Sequence, residues 1–187
     1  IYYATRTMTK RRVSTISDFK LGAVEFSKWD RATMYFSCGV AWSGVGTDPD
    51  FFSLPEVVGI DGRKLNKYGH KRDVSFQTWL KFVGWYVSEG SSWVTPSNYT
   101  VCIAQNPGCR QDEICQIVRD LGFTPYVNGK NIIISSKQLY TAVSIFGKGA
   151  VNKEIPRGYL TLSPNSLKYL FSSLMCGDGD ADGSKYS

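Results

Sequence analysis

Apolar residues in the second half of the chain alternate between helical and strand periods. Phe76, Trp79, Leu80, Val83, Gly84 and Val87 recur at helical spacing behind Asp73 or Ser75 as N-cap, and Gly90 ends the pattern. A hairpin is predicted over Trp93 to Gln105, with Tyr99 to Ala104 as a strand and Pro96, Ser97 and Asn98 as its turn. Ile114, Ile117, Val118 and Leu121 then mark an amphipathic helix that stops at Gly122. Asn128-Gly129, between Tyr126-Val127 and Ile132-Ile133-Ile134, predicts a second hairpin. A short helix is expected around Gln138 to Phe146, and Ser163-Pro164 opens a last one with Leu167, Leu170, Phe171, Leu174 and Met175 as its stripe, ending at Gly179. The order is helix, hairpin, helix, hairpin, helix, then a helix resembling the first, which reads as an internal repeat cut short.

The first half carries strand signals. Arg12 to Ile16 is rich in β-branched residues, Ala32 to Trp42 is aromatic and small, and Gly44 to Pro55 reads as a loop. Asp61 to Asp73 holds five Lys/Arg and two glycines, the composition of a solvated linker. The expected organisation is a β-rich segment over 1–60, a basic linker over 61–73, and a main domain over 74–187.

Composition narrows the classes. With 187 residues, 42% of them hydrophobic, the chain can bury a core, and the absence of a long apolar run or an apolar leader predicts no membrane span and no secretion. Five cysteines without a CxxC pair point to reduced thiols and an intracellular setting, cytoplasm or nucleoid. A single histidine, His70, excludes a Ser-His triad elsewhere and a multi-His metal site. Asp180 and Asp182 lack the later Glu that a calcium loop requires. A net charge of +6 suits a polyanionic partner.

Two segments carry candidate chemistry. FVGWYVSEG (Phe82 to Gly90) and FSSLMCGDG (Phe171 to Gly179) each have small residues at the third and seventh places, an acid at the eighth and Gly at the ninth. Small residues at i and i+4 make a smooth helix face that a second helix can approach closely. Glu89 and Asp178 would sit at helix C-termini, where the macrodipole disfavours an anion by roughly 0.3 to 1 kcal/mol, so local stability does not explain them. Pairing through the small faces would bring both carboxylates to one end, where like charges need a cation between them. Mg²⁺ suits few carboxylates plus water and phosphate.

These residues resemble the LAGLIDADG homing endonucleases, specifically the endonuclease domain carried in inteins. FVGWYVSEG is similar to the first motif helix, YLFSSLMCGDG to the second, and FGKGAVNKEIP (Phe146 to Pro156) to the intein block that precedes the second motif. Trp42-Ser43-Gly44 and Phe51 to Pro55 loosely resemble the intein segment after the first splicing block. The resemblance implies an α+β fold, a LAGLIDADG αββαββα unit plus the second motif helix, with the β-rich segment ahead of it and the second half truncated. It implies site-specific, Mg²⁺-dependent hydrolysis of double-stranded DNA, with two or three ions shared by Glu89 and Asp178 and by the carbonyls of Gly90 and Gly179. Lys153 would help polarise water or stabilise the phosphorane, and Gln105 would orient active-site water. A monomeric pseudo-dimer is implied for the full protein, or a dimer for this fragment. The first acid is Glu where the family has Asp, and no splicing Cys/Ser, TxxH block or C-terminal His-Asn is present.

Hairpins rich in Trp, Tyr, Asn, Thr and Lys suit a sheet lying in the major groove, and the candidates for DNA contact are Trp93, Thr95, Tyr99, Tyr126, Asn128, Lys130 and Asn131. Arg63, Lys64, Lys67, Lys71 and Arg72 could track the phosphates. The rival functions are a DNA- or RNA-binding module on the same fold that does not cut, and a splicing domain without a DNA role.

Overall fold

The computed structural model describes residues 2–6, 19–23, 34–35, 48–58 and 69–178. The chain divides into two compact units, Ile1–Ser43 and Gly44–Ser187. In the first, β1 (Tyr2–Arg6), β2 (Phe19–Ala23) and β3 (Met34–Tyr35) form an antiparallel sheet in the order β2-β1-β3. The expected strand over Arg12 to Ile16 lies outside the described residues.

The second unit is mixed α+β. It opens with a two-stranded ladder of β4 (Phe51–Leu54) and β5 (Arg72–Ser75), Phe51 opposite Ser75 and Leu54 opposite Arg72. The stretch from Gly44 to Pro55 has the composition of a loop, yet its last third is a strand, because a partner twenty residues on satisfies its backbone. This ladder joins residues on either side of the expected linker and leads directly into α1 (Phe76–Glu89).

Helix α1 starts as its sequence predicts, with the Ser75 hydroxyl accepting from the Thr78 amide. It ends at Gly90, whose N–H donates to the Tyr86 carbonyl. Strands β6 (Gly90–Thr95) and β7 (Asn98–Ala104) form the first hairpin, α2 (Cys109–Asp120) comes next, and β8 (Tyr126–Asn128) with β9 (Asn131–Ser135) forms the second. The second turn is one residue later than Asn128-Gly129: Asn128 pairs with Asn131, and Gly129 and Lys130 make the bend. Of these two, Gly129 alone has positive φ (59°), the pattern of a turn with glycine at its first central place. Helix α3 (Lys137–Val143) and three 3₁₀ turns lead to α4 (Pro164–Asp178).

The four strands stand in the order β6-β7-β9-β8. Val101, Ile103, Ile132 and Ile134 point to one face and join the helices in a single core. Helix α1 is at its centre. Beyond the predicted stripe it also buries Phe82, Trp85 and Tyr86 completely or nearly so, because the sheet, α4 and the loop after α3 surround it. Trp79 stacks on Phe52 at 4.0 Å and donates its indole N–H to the Tyr159 hydroxyl at 2.9 Å.

A buried polar node ties the entrance strands to the domain. Gln138, 1% exposed, donates to the carbonyls of Pro55 and His70 and accepts from Arg72 Nε at 3.1 Å. Arg72 also lies 4.5 Å over the Phe123 ring, and burial lowers its pKa from the usual arginine value. It therefore anchors the core and does not extend a solvated basic run. Lys71 and His70 are exposed; Arg63, Lys64 and Lys67 fall outside the described residues.

Candidate active site and nucleic-acid interface

Helices α1 and α4 make the most extensive contact among the described elements, and they do so through glycines. A Cβ on Gly84 would lie 2.5 Å from the Leu170 carbonyl oxygen, 2.8 Å from the Leu174 amide nitrogen and 2.8 Å from Ser173 Cβ. One turn on, a Cβ on Gly177 would collide with the Ser88 side chain and lie 3.2 Å from Glu89 Cγ. The register is parallel and constant, since 173 − 84 = 89 and 177 − 88 = 89. Ser88 keeps its side of the face small by folding its hydroxyl back onto the carbonyls of Gly84 (3.0 Å) and Trp85 (3.3 Å). In this register, Glu89 and Asp178 stand opposite each other, the last residues of their helices.

Lys153 reaches the same end. Its ammonium donates to the Gly90 carbonyl at 2.9 Å and to the Tyr86 carbonyl at 3.1 Å, and lies 5.7 Å over the Tyr86 ring. The loop carrying it is held by the bond from the Glu154 N–H to the Phe146 carbonyl, and by Gly147, whose φ of 82° and contact with the Asn152 carbonyl leave no room for a side chain. The Gly90 carbonyl, expected as a metal ligand, thus accepts one hydrogen bond from the lysine. The Tyr86 hydroxyl is 2.9 Å from Ser92 Oγ, and burial raises its pKa, so it remains protonated.

Sequence reasoning missed Arg110. From the first turn of α2, its guanidinium donates to the Cys176 carbonyl at 2.9 Å, near the C-terminus of α4, as Lys153 does for α1. A cation at a helix N-terminus is locally unfavourable, and that misfit was the available signal. Gln105, at the end of β7, turns its carboxamide oxygen onto the Asn106 amide at 3.0 Å. Gly179 lies outside the described residues. Among the described residues no three His, Cys, Asp or Glu side chains converge.

The sheet's second face carries none of the residues of that core cluster, although Thr100 and Cys102 in its middle are buried. Pairing and strand alternation place Ser91, Trp93, Thr95, Asn98, Thr100, Cys102, Tyr126, Asn128, Asn131, Ile133 and Ser135 there. Trp93 is 42% and Tyr126 66% exposed; Thr95, Asn128 and Asn131 are exposed, and Lys130 stands in the turn at its rim. Tyr99 is on the opposite face. Its cross-strand partner is Val94, its ring meets Tyr140 edge-on at 5.3 Å, and Lys137 lies 5.1 Å over it. Parity separates it from the five other candidates on strands, Trp93, Thr95, Tyr126, Asn128 and Asn131, since neighbouring strand residues point to opposite sides.

No family profile matches the chain. It is 30% identical over 139 residues to the ATP-dependent Clp protease proteolytic subunit of Chlamydomonas moewusii, covering 68% of this chain and 14% of that protein. It is 28% identical over 126 residues to the DNA polymerase II large subunit of Thermococcus kodakarensis, covering 64% of this chain and 7% of that protein. The chain therefore spans only a small part of the curated relatives it matches. Among the described residues, no helix is long and apolar enough to cross a membrane.

Proposed function

We propose that the chain is a LAGLIDADG-type DNA endonuclease unit of the kind carried in inteins, acting inside the cell on double-stranded DNA. The observation that carries this is the parallel pairing of α1 and α4 through Gly84 and Gly177, which puts Glu89 and position 178 at one end beside Lys153. Packing backbone to backbone so that two acidic positions share the negative ends of two helix dipoles is costly for stability and useful for holding a cation. The matches to small parts of two proteins with unlike names support a self-contained module borne by different hosts.

The donor chemistry is all oxygen, which fits a hard cation such as Mg²⁺, with Glu89 and Asp178 as its protein ligands. When bound, such an ion supplies a water of lowered pKa and neutralises phosphate charge. Lys153 and Arg110 neutralise the helix C-termini and hold the two ends in place. The exposed sheet face would lie on the DNA.

The test is cleavage of a plasmid library carrying randomised duplex inserts in Mg²⁺, alongside duplex affinity measured in Ca²⁺. Glu89→Gln is expected to abolish strand breaks and leave affinity unchanged. Undiminished cleavage by the variant would sink the assignment. Binding without any strand break by the unaltered chain would instead identify a DNA-binding module that does not cut.

A further inference from the structure

None of the residues of the four strands β6 to β9 is charged, although the chain as a whole carries a net charge of +6. That is unusual for a surface meant to meet DNA, and it constrains what the surface can read. In the major groove, guanine is read chiefly by Arg or Lys on O6 and N7, and cytosine N4 by carboxylates; adenine is read by Asn or Gln on N6 and N7, and the thymine methyl by apolar contact. The face lacks the first two kinds of reader and holds both of the others.

Resting on the DNA-binding reading above, we infer that this face selects A·T-rich sequence, with Asn128 and Asn131 reading adenine and Trp93 and Ile133 meeting thymine methyls. Asn128 and Asn131 are opposite each other on β8 and β9, both exposed, and neither carboxamide has a partner among the described residues. Asn98 is different: its carboxamide is held by the Tyr99 amide and by Ser135, and it does not read. Four strands at about 4.8 Å spacing make a surface about 14 Å across, matching a major groove roughly 12 Å wide. The charge pattern is complementary as well. The groove's floor is neutral between anionic phosphate rims, and the face is neutral with Lys130 in the turn at its edge.

The experiment is competition for a labelled random duplex in Ca²⁺, using alternating A·T, G·C and I·C duplexes. Inosine keeps guanine's major-groove pattern and lacks its minor-groove amino group, so it separates the two grooves. A·T should compete best, with G·C and I·C alike and weaker. The double variant Asn128→Ala with Asn131→Ala should reduce the preference by about 5- to 150-fold for each asparagine–adenine pair removed, with thermal unfolding unchanged. A G·C preference, I·C competing as well as A·T, or a double variant that keeps its preference overturns the inference while leaving DNA binding intact. Failure of every duplex to bind overturns the DNA-binding reading itself.

Discussion

Replacing Gly84 with Ala tests the helix pairing on which the proposed site depends. In the middle of a solvated helix this change is favourable by about 1 kcal/mol, because Ala has the higher helix propensity. Here the new methyl carbon would lie 2.5 Å from a carbonyl oxygen and 2.8 Å from an amide nitrogen of α4. Carbon atoms rest at about 3.5 to 4.0 Å, so α4 must withdraw by roughly 1 Å. Both obstacles are backbone, and neither can rotate away. Overpacking of this kind costs about 1 to 3 kcal/mol and occasionally more. The expected net effect is a loss of up to about 2 kcal/mol, or a fall in Tm of up to roughly 8 °C for a chain of this size. Gly158 provides the control, since a Cβ there meets nothing within 4 Å and its φ is not positive. Gly158→Ala should be neutral or stabilise by about 0.4 to 1 kcal/mol. Urea and thermal unfolding of both variants decide the matter. If Gly84→Ala stabilises as Gly158→Ala does, α1 and α4 do not pack through this face.

Gln138→Ala should cost about 3 kcal/mol in urea unfolding, because the carbonyls of Pro55 and His70 and the Arg72 Nε–H lose their buried partner together; a loss below about 1 kcal/mol would mean the node is not coupled to the fold. Trp79→Phe should cost about 1 to 2 kcal/mol more than Trp85→Phe, since the Trp79 indole N–H is bonded to Tyr159 while that of Trp85 is buried with no partner among the described residues. Equal losses for the two variants would contradict the assignment. Asp48 accepts from the Ser163 amide at 2.9 Å and from its hydroxyl, and these bonds lower its pKa below 3.8. Its contribution is present above the unfolded pKa and is lost as pH falls through the folded value, so Asp48→Asn should be less stable than the parent near neutrality, with the gap closing below about pH 4. A gap independent of pH would refute the role of the charge.

Much of the fold was legible because it is local. Ser75 and Ser163-Pro164 mark helix starts, Gly90 and Gly122 mark helix ends, and both hairpins lie within a few residues of where alternation and turn residues place them, the first with Asn98 paired in its strand and the second with its bend one residue later. The pairing of α1 with α4 was legible for a different reason: a repeated pattern of small residues is a packing signal that survives 89 residues of separation. What failed was everything that depended on an unrepeated distant partner. Phe51 to Leu54 looks like loop until Arg72 to Ser75 lies beside it. Arg72 looks like surface charge until Gln138 and Phe123 enclose it, and Arg110 is an ill-placed helix cation until the end of α4 arrives.

By itself, then, the sequence determined the kinds of main elements from Phe76 onward, their order, and the close-packing faces of α1 and α4, because propensity, capping and small-residue spacing act within a turn or two of the chain. Only the tertiary structure decided which side chains share a face or an end, as with Tyr99 on the covered side of the sheet and Lys153 on the carbonyls of Gly90 and Tyr86. Strand parity and the meeting of helix termini are set by packing all the elements around one core, and no local pattern encodes that.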